Sequence, residues 1–461
     1  MNERKKMSFY TLGCKLNKAE TGGIIGRFVE NGYEIVPFEN SAEADIVYIN
    51  TCTVTASADS SCRNVIRRAR RNSPNSIIVV TGCYAQLSAE KLESMEEIDI
   101  ILGVEQKEKI FELLLDQKYQ EYQNIQNNKC ITDISRSKDK DFFLKGLSAL
   151  EDGTTRAFLK IQDGCNYFCS YCIIPHARGV PRSLPEEQVL HEISKVINSG
   201  VKEVVLTGIN LGEYNSSNIN EPVKVSGLLG LIKKIKETEI RSKLHRLRLS
   251  SIEPNKITEE LLIVLKDLSC FMDYFHIPLQ SGDDVILKKM NRRYSVSEYL
   301  EITELIKKYF PDAGIGSDII VGFPGEVENE FKNTCRVIEN SSITHLHIFP
   351  YSDRGSISMS SIMSKEKEVK SAIKKERVAI LERVANKKLK DFSLSMLGRR
   401  VKVLFENKKN ISGLYQGYTS NYLRAVMSVN SVNGVNQIRN LSGEIEDVVV
   451  REVKGKNLYV Y

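Results

Sequence analysis

Long hydrophobic runs are missing from this chain of 461 residues. A membrane-spanning helix needs about 20 consecutive apolar residues, and no stretch of the sequence approaches that length. The basic N-terminus, MNERKKMSFYTLGC, also lacks an apolar segment of the length found in signal peptides. These absences argue against helical membrane spans, and the sequence predicts a cytoplasmic protein without a membrane partner.

A fourth cysteine is missing from the most informative motif. Cys165, Cys169 and Cys172 have CxxxCxxC spacing in the segment KIQDGCNYFCSYCIIPHARG, with no other cysteine nearby in the sequence. A cubane [4Fe–4S] cluster normally takes four thiolates, so three of them leave one iron open, as in catalytic metal sites. An open iron can chelate S-adenosylmethionine (SAM) and pass one electron to its sulfonium. The spacing therefore predicts a 5′-deoxyadenosyl radical; the alternative is a structural zinc site, which usually takes four ligands.

A second, wider triplet consists of Cys14 in TLGCKLN, Cys52 in NTCTVT and Cys83 in TGCYAQ. Each cysteine follows a strand-like run, and ligands of open parallel sheets bind where the strands end. Three converging thiolates would hold a second cluster with an exchangeable site. The alternative is three ordinary buried cysteines. The other cysteines are predicted to be small core residues or bystanders: Cys62, Cys130, Cys270 and Cys335.

Alternation of strand-like and helical segments predicts an α/β protein. Strand-like Ile46–Ile49 and Ile77–Val80 flank a helical stretch, Ala58–Arg71, which is typical of a parallel-sheet α/β domain. Six further strand-like runs predict a complete or partial (β/α) barrel: Ala157–Ile161, Val204–Thr207, Leu247–Leu249, Phe275–Ile277, Ile319–Val321 and Leu346–Phe349. After Gly398 only strand-like runs follow, which predicts a small β-barrel. The predicted boundaries are 5–120, a linker at 121–150, 151–385 and 396–458.

Basic residues concentrate toward the C-terminus. The net charge is +6, but Lys365–Asp391 and Gly398–Tyr461 each hold 10 basic and 5 acidic residues, so the rest of the chain is slightly acidic. The first of these segments is predicted to be an amphipathic helix with Val369, Ile373, Ile380 and Val384 on its apolar side. Such a charge distribution fits a nucleic-acid partner and equally fits a solvated basic surface.

Ordered motifs along nearly the whole chain resemble the radical SAM methylthiotransferases, which insert a sulfur and a methyl group into a C–H bond. The resemblance lies in the two cysteine-bearing sets above and in VLTGINLGEY, RLSSIEP, FHIPLQSGDD, KKMNRRY, IIVGFPGE, HIFPYSDR and GYTSNYLRA. It implies that the middle domain is a partial (β/α) radical SAM barrel. It also implies that the C-terminal domain is a TRAM-like β-barrel that binds RNA.

The resemblance also implies two [4Fe–4S] clusters and a division of labour. Cys165, Cys169 and Cys172 would hold the radical cluster, whereas the wider triplet would hold an auxiliary cluster carrying the sulfur to be inserted. One SAM would methylate that sulfur, and a second would yield the radical that abstracts hydrogen from C2 of an adenine. An electron donor and a sulfur source are then required.

The finer motifs TLGCKLN, NTCTVT and GYTSNY resemble the branch that modifies threonylcarbamoyladenosine at position 37, beside the tRNA anticodon. Alternative substrates within the family are isopentenyladenosine in tRNA and a ribosomal protein. An alternative of another class is a non-catalytic iron–sulfur protein that binds RNA. Tyr415, Tyr418 and Tyr422, near Lys408, Lys409 and Arg424, would suit single-stranded RNA, or the tyrosines would fill the barrel core.

Further SAM contacts are predicted at strand ends. Thr207 and Gly208 would meet the SAM amino group, and Ser250 and Glu253 the ribose or the amino acid part; Tyr171 directly precedes Cys172. The alternative for each is an ordinary turn residue. His276, within an apolar strand, is predicted to be a core histidine rather than a ligand.

Overall fold

The chain divides into two units in this computed structural model, which describes residues 5–115, 130–131, 155–215, 227–354, 368–407, 413–427 and 440–461. The first unit comprises Met1–Ala149, Phe158–Leu184 and Ser352–Ser358, and the second comprises Leu150–Ala157, Pro185–Tyr351 and Met359–Tyr461. Most of the predicted linker, 121–150, lies outside the described residues. Within the described ranges, no helix has both the length and the apolar character needed to cross a bilayer.

The first unit is built on a six-stranded sheet. Its strands are β1 (Lys6–Thr11), β2 (Glu34–Val36), β3 (Ile46–Thr51), β4 (Ile77–Gly82), β5 (Ile100–Leu102) and β6 (Cys130–Ile131). Its helices before residue 130 are α1 (Lys15–Glu30), α2 (Ala56–Asn72), α3 (Cys83–Leu87), α4 (Ala89–Glu93) and α5 (Lys109–Leu115). The strand order is β2–β1–β3–β4–β5–β6 and every pair is parallel, which confirms the predicted parallel-sheet domain.

Both faces of this sheet are apolar because helices cover each of them. Val47 and Ile49 of β3 pack in one core with residues of α2, whereas Ile46 and Tyr48 pack in another with Phe28 of α1. Successive side chains of a strand point to opposite faces, so one short strand supplies both cores. Thr55 begins α2, since its side chain accepts a hydrogen bond from the N–H of Ala58.

The segment Phe158–Leu184 of the first unit contains the CxxxCxxC motif. The strand β7 (Arg156–Lys160) crosses from the second unit into this segment. It is followed by β8 (Gln162–Asp163), the cysteine loop, α6 (Ile174–Arg178) and β9 (Arg182–Ser183). β8 and β9 pair in antiparallel fashion, so the cysteine loop and α6 are closed at their base by a short ribbon.

The second unit begins with parallel strands that alternate with helices. The strands are β10 (Glu203–Thr207), β11 (Arg246–Leu249), β12 (Tyr274–His276), β13 (Gly314–Val321) and β14 (His345–Pro350). The helices are α7 (Glu186–Asn198), α8 (Gly227–Glu237), α9 (Ile240–Lys243), α10 (Glu259–Lys266), α11 (Asp284–Lys289), α12 (Val296–Tyr309) and α13 (Glu328–Asn340). β10 pairs with β11, and β12, β13 and β14 form a second parallel sheet. A parallel bridge between Leu247 and Phe271 leads from one sheet toward the other, which confirms the partial (β/α) barrel.

A closed five-stranded barrel ends the second unit, as predicted. Its strands are β15 (Arg400–Phe405), β16 (Tyr415–Thr419), β17 (Arg424–Met427), β18 (Ile445–Lys454) and β19 (Asn457–Val460), in the order β15–β16–β17–β19–β18. Val403, Phe405 and Tyr415 lie in its apolar core together with residues of every other strand. Closure leaves this small sheet without an exposed edge.

The basic segment before the barrel forms α14 (Ser371–Leu394), so the predicted helix is present. The predicted apolar side is only partly packed: Ile380 and Val384 are partly buried, but Ile373 is 38% exposed, and the buried residues include Lys374 and Arg377. Both buried cations have acceptors: Lys374 donates to the Tyr351 carbonyl, and Arg377 pairs with a carboxylate oxygen of Glu326. Long cationic side chains thus occupy part of the packed side of α14. Hydrophobic periodicity does not detect burial of this kind, because it counts only apolar residues.

Candidate functional site

The cysteines of the wider triplet lie at the carboxyl ends of three neighbouring strands. Cys14 follows β1 and caps α1, Cys52 directly follows β3, and Cys83 directly follows β4. Because β1, β3 and β4 are adjacent and parallel, all three cysteines belong to one edge of the sheet, as predicted. Cys14 is exposed, whereas Cys52 and Cys83 are buried.

Two glycines allow this close arrangement. Gly13, just before Cys14, has φ +97°, and a Cβ placed on it would lie 2.6 Å from the Cβ of Cys52. Gly82, just before Cys83, has φ +101°, and a Cβ there would lie 2.3 Å from the carbonyl oxygen of Thr51. Any other residue at either position would meet both backbone strain and a steric clash. The glycine before the cysteine in TLGC and TGC is therefore a requirement of the site.

The thiols of this triplet influence one another electrostatically. Burial raises the pKa of Cys52 to about 12, and the neighbouring thiols of Cys83 and Cys14 add to the increase. Burial also raises the pKa of Cys83, although the charge of Arg178 opposes the shift. Metal binding displaces protons from thiols, so a bound cluster would hold these cysteines as thiolates. Three soft sulfur donors at one sheet edge fit an iron–sulfur cluster.

The other cysteines fit their predicted minor roles. Cys62 lies on α2 and is fully buried, and its thiol donates to the carbonyl of Cys52 at 3.3 Å. Cys270 is buried and Cys335 is partly exposed, and both lie in the second unit. The side chain of Cys130 lies outside the described residues.

The CxxxCxxC cysteines lie on one compact loop. The N–H of Cys165 donates to the carbonyl of Gly179 at 3.0 Å, and the N–H of Cys172 donates to the carbonyl of Cys169 at 2.9 Å. Gly164 has φ +72°, and a Cβ on it would lie 2.0 Å from the carbonyl oxygen of Val180. These contacts fold the loop back on its own base. Cys165 and Cys172 remain partly exposed, while Cys169 is 8% exposed, so the loop offers three sulfur donors that suit a cluster with one open iron.

A buried ionic network in the first unit was not predicted from the sequence. Its centre is Glu20 of α1, six residues after Cys14. Arg178 donates to Glu20 at 2.8 Å, Lys160 lies 2.7 Å from the same carboxylate, and Lys107 pairs with its second oxygen. All four side chains are at most 1% exposed. Burial acts to raise the pKa of Glu20, but the three cations hold it well below its usual range.

This network joins segments that carry the two cysteine sets. Arg178, six residues after Cys172, also donates to the side chain of Asn17 at 2.7 Å. Asn17, three residues after Cys14, donates in turn to the carbonyl of Thr51, next to Cys52. Lys160 and Arg178 both pair with Asp163, at 2.6 and 3.0 Å, two residues before Cys165. The segments flanking both triplets therefore share one set of buried charges within the first unit.

The predicted SAM contacts divide between the units. Tyr171 lies on the cysteine loop of the first unit and is partly buried. In the second unit, Thr207 ends β10, and the N–H of Gly208 donates to the hydroxyl of Ser250 at 3.2 Å. Glu253 is paired with Arg292. Three of the four second-unit residues thus lie at the ends of two adjacent strands, which is where barrel ligands bind.

A second buried ionic network lies in the second unit. Glu203 of β10 pairs with Arg246 at 2.8 Å and with Arg248 at 3.0 Å, and Arg156 lies 3.3 Å from its other oxygen. The guanidiniums of Arg246 and Arg248 then donate to backbone carbonyls of the GYTSNY turn: those of Tyr418, Thr419 and Ser420. The network thereby fixes the C-terminal barrel on the strands of the preceding domain.

The three C-terminal tyrosines are largely used in packing. Tyr415 is 2% exposed in the barrel core. Tyr418 stacks on Tyr422 at 4.9 Å between ring centroids, and Tyr422 stacks on Tyr274 of β12 at 4.7 Å. Arg424 is exposed, and Lys408 and Lys409 lie outside the described residues. The aromatic part of the predicted RNA surface is therefore mostly occupied by protein contacts.

Two family models match this chain. The model described as "Radical SAM superfamily" matches residues 159–338, and the one described as "Uncharacterized protein family UPF0004" matches residues 6–103. The first range includes the CxxxCxxC loop and β10–β13, and the second includes Cys14, Cys52 and Cys83.

Curated relatives match nearly the full length. The chain is 37% identical over 423 residues to the threonylcarbamoyladenosine tRNA methylthiotransferase MtaB of Bacillus subtilis, covering 91% of this chain and 90% of that protein. It is 37% identical to the protein of the same name from Aquifex aeolicus, covering 87% and 92%. It is 32% identical to a tRNA-2-methylthio-N(6)-dimethylallyladenosine synthase of Caldicellulosiruptor saccharolyticus, covering 90% and 85%.

Among solved structures, the radical SAM methyltransferase TsrM from Kitasatospora setae, with tryptophan and a SAM analogue bound, has a similar fold. The TM-score is 0.51 at 14% sequence identity, covering 75% of this chain and 73% of that one. At this identity the likeness concerns the fold alone.

Proposed function

Since this chain belongs to the radical SAM methylthiotransferase family, we propose that it methylthiolates C2 of threonylcarbamoyladenosine at position 37 of tRNA, beside the anticodon. The observation that carries the proposal is near full-length similarity to proteins named for that reaction, with six cysteines placed on two loop systems of the first unit. The family implies two [4Fe–4S] clusters and SAM.

Cys165, Cys169 and Cys172 would hold the radical cluster, and Cys14, Cys52 and Cys83 the auxiliary one. When bound, a cluster with an open iron supplies the electron for reductive cleavage of SAM. The protein's own part is positional. The backbone bonds of the cysteine loop fix the spacing of its sulfurs, and Gly13 and Gly82 let the wider triplet approach one sheet edge.

Thr207, Gly208, Ser250, Glu253 and Tyr171 would contact SAM. The bond between Gly208 and Ser250 supports this, because it fixes the ends of two adjacent strands where an amino or ribose group would lie. Glu253 is held by Arg292, so its carboxylate has a fixed direction. Each residue would orient the cofactor rather than exchange protons with it.

The tRNA anticodon loop is the proposed partner, and a cytoplasmic location is proposed with it. An electron donor and a sulfur source are also needed. The closed C-terminal barrel supports an RNA-binding role, and the basic residues around it would contact phosphates. Tyr418 and Tyr422 pack against the second unit's own strands. The barrel would therefore contribute to RNA binding through its charged side chains rather than through these aromatic rings.

Nucleoside analysis of tRNA tests the substrate. A strain lacking this protein should lose 2-methylthio-threonylcarbamoyladenosine and accumulate the unthiolated nucleoside. Loss of the methylthio group from isopentenyladenosine instead would assign the chain to the activity named for the Caldicellulosiruptor saccharolyticus relative. If neither nucleoside changes but a ribosomal protein loses its methylthio group, tRNA is not the substrate.

Cysteine variants test the division of labour. Anaerobically reconstituted protein should bind about eight irons, and Cys172→Ala and Cys83→Ala should each bind about four. Cys172→Ala should form no 5′-deoxyadenosine from SAM and a reductant, whereas Cys83→Ala should form it without methylthiolating tRNA. Cys335→Ala, outside both triplets, is the matched control and should behave as the unmodified protein. RNA binding without any 5′-deoxyadenosine would instead indicate a non-catalytic iron–sulfur protein.

A further inference from the structure

Two imidazoles and a carboxylate meet on adjacent strands of the second unit. His276 ends β12, Asp318 lies within β13, and His347 lies within β14. The Nε2 atom of His276 is 3.0 Å from one oxygen of Asp318, and the Nδ1 atom of His347 is 3.4 Å from the other. His276, predicted to be a core histidine, is therefore part of a polar group.

The register of the sheet places these side chains on one face. Asp318 is paired directly with His347, and Gly316, two residues earlier, is paired with His276. A Cβ on Gly316 would lie 2.1 Å from the Tyr274 hydroxyl and 2.9 Å from His276 Nδ1, so glycine leaves room for the ring. Phe275 points to the opposite face and packs against Phe271 and Phe310. The polar face is thus separate from the apolar core.

The three side chains become more exposed to solvent from β12 to β14. Side-chain exposure increases from 10% for His276 through 25% for Asp318 to 56% for His347. Two residues beyond His347 on the same side of the strand, Phe349 is 42% exposed. An exposed aromatic ring next to an exposed imidazole, near the carboxyl ends of parallel strands, is a combination that suits a flat polar ligand.

The group also lies close to a predicted SAM residue. Burial raises the pKa of Glu253, and the charge of Asp318 contributes to that increase. Although burial acts to raise the pKa of Asp318 itself, hydrogen bonds from His276 and His347 hold it well below its usual range. Asp318 is therefore an ionised carboxylate with both oxygens occupied, and it fixes the direction of each imidazole.

We propose that this face binds the modified adenosine, with His347 receiving the carboxylate of the threonylcarbamoyl group and Phe349 stacking on the base. The proposal rests on the proposed function and names its specificity-determining residues. When both ring nitrogens of His347 carry a proton, Nδ1 can donate to Asp318 and Nε2 can donate to a second carboxylate. An isopentenyl group offers no acceptor to this nitrogen, so the same contact discriminates between the two tRNA substrates.

Binding of anticodon stem-loops to the full-length protein tests this subsite. Three otherwise identical RNAs would carry threonylcarbamoyladenosine, isopentenyladenosine or adenosine at position 37, at one fixed salt concentration. The unmodified protein should prefer the first RNA. His347→Leu should weaken its binding about tenfold to a hundredfold, the usual effect of losing a hydrogen bond to a charged group, and should leave the adenosine RNA unchanged.

Three further variants keep the test decisive. His347→Arg retains a cation that can pair with a carboxylate and should restore most of the preference. His191→Leu removes an exposed histidine of α7 and should leave all three affinities unchanged. Phe349→Ala should weaken all three RNAs by a similar factor, because stacking depends on the base rather than on its substituent.

Several outcomes would overturn the proposal. Equal binding of the three RNAs by the unmodified protein would do so, as would equal losses for all three in His347→Leu. Two imidazoles and a carboxylate can also hold a divalent metal ion. If His347→Leu removes a bound zinc or manganese ion and leaves RNA preference intact, the group is a metal site instead. The nucleoside analysis of the deletion strain is independent, so failure of the subsite and failure of the proposed function remain distinguishable.

Discussion

Each unit buries one glutamate among three cations, and the two networks perform different tasks. Glu20 in the first unit is surrounded by Lys107, Lys160 and Arg178, and Glu203 in the second unit by three arginines. The cations around Glu20 also bind polar side chains that flank the cysteines in the sequence. Two of those around Glu203, Arg246 and Arg248, also donate to backbone carbonyls of a turn.

The difference shows what a buried charge cluster is used for. Desolvation makes such clusters poor sources of stability compared with apolar packing, so we infer that these two networks serve to specify geometry. Around Glu20 the geometry concerns the segments that carry the two cysteine triplets. Around Glu203 it concerns the attachment of one folded domain to another. Lysine appears only in the first network, where compact ammonium groups fit between closely packed segments.

The largest expected effect is that of Glu20→Gln. The substitution leaves three buried cations facing a neutral amide, so the first unit should lose about 3–5 kcal/mol of stability. Amide hydrogen exchange followed by mass spectrometry should show reduced protection in β1, β3 and the segment 158–184. Iron bound by the reconstituted protein should also decrease, because Cys14 and Cys52 follow these strands and the CxxxCxxC cysteines lie in that segment.

The exposed Glu30 of the same helix provides the control. Glu30→Gln should leave both protection and iron content unchanged. If Glu20→Gln lowers the stability of the first unit by less than about 1 kcal/mol, water or a rearranged side chain must provide new acceptors for the three cations. In that case the network does not hold the cysteine segments in place.

A smaller effect is expected from Glu203→Gln. Arg246 and Arg248 keep their carbonyl acceptors in the GYTSNY turn, so the expected cost is about 1–3 kcal/mol. Loss of protection should appear in β10, β11 and residues 413–427, while residues 5–115 remain protected and iron content is normal. Glu237→Gln, an exposed glutamate of α8, is the control. Equal disturbance of the cysteine segments would abolish the contrast between the two networks.

The smallest effect concerns pH. The cations lower the pKa of both glutamates, against the opposing effect of burial. A carboxyl group with a lowered pKa contributes stability that is present above its unfolded value, about 4.3, and is lost as the pH falls through the folded one. Stability should therefore stay flat between pH 7 and pH 5, with respect to these groups, and decrease below about pH 4.

Comparison with the glutamine variants isolates this contribution. Glu20→Gln and Glu203→Gln should each show a shallower acid decline than the unmodified protein, because neither amide titrates. An unchanged slope in both variants would assign acid sensitivity to other carboxylates.

The strand ends and the cysteines could be predicted because their signals are local. Ile46–Ile49 and Ile77–Val80 are short apolar runs followed at once by a cysteine motif, and the observed strands β3 and β4 extend each of them by only two residues. Parallel pairing then brings the cysteines to one edge by geometry alone.

The buried charges could not be predicted in the same way. Glu20 meets its partners across 87, 140 and 158 residues of sequence, and each of them looks like an ordinary surface residue in its own segment. The packed side of α14 was missed for a related reason, since Lys374 and Arg377 are buried against acceptors contributed by distant elements. Hydrophobic periodicity detects burial only where apolar side chains provide it.

The attachment of the C-terminal barrel has a consequence for engineering. Arg246 and Arg248 bind the turn through main-chain oxygens of residues 418–420, so they recognise its backbone path rather than the identity of its side chains. Asn421 adds a donor to the carbonyl of Asp312, and Tyr422 adopts φ +70° beside it. A foreign barrel that reproduces this five-residue path should therefore dock in the same orientation, whatever side chains it carries at these positions.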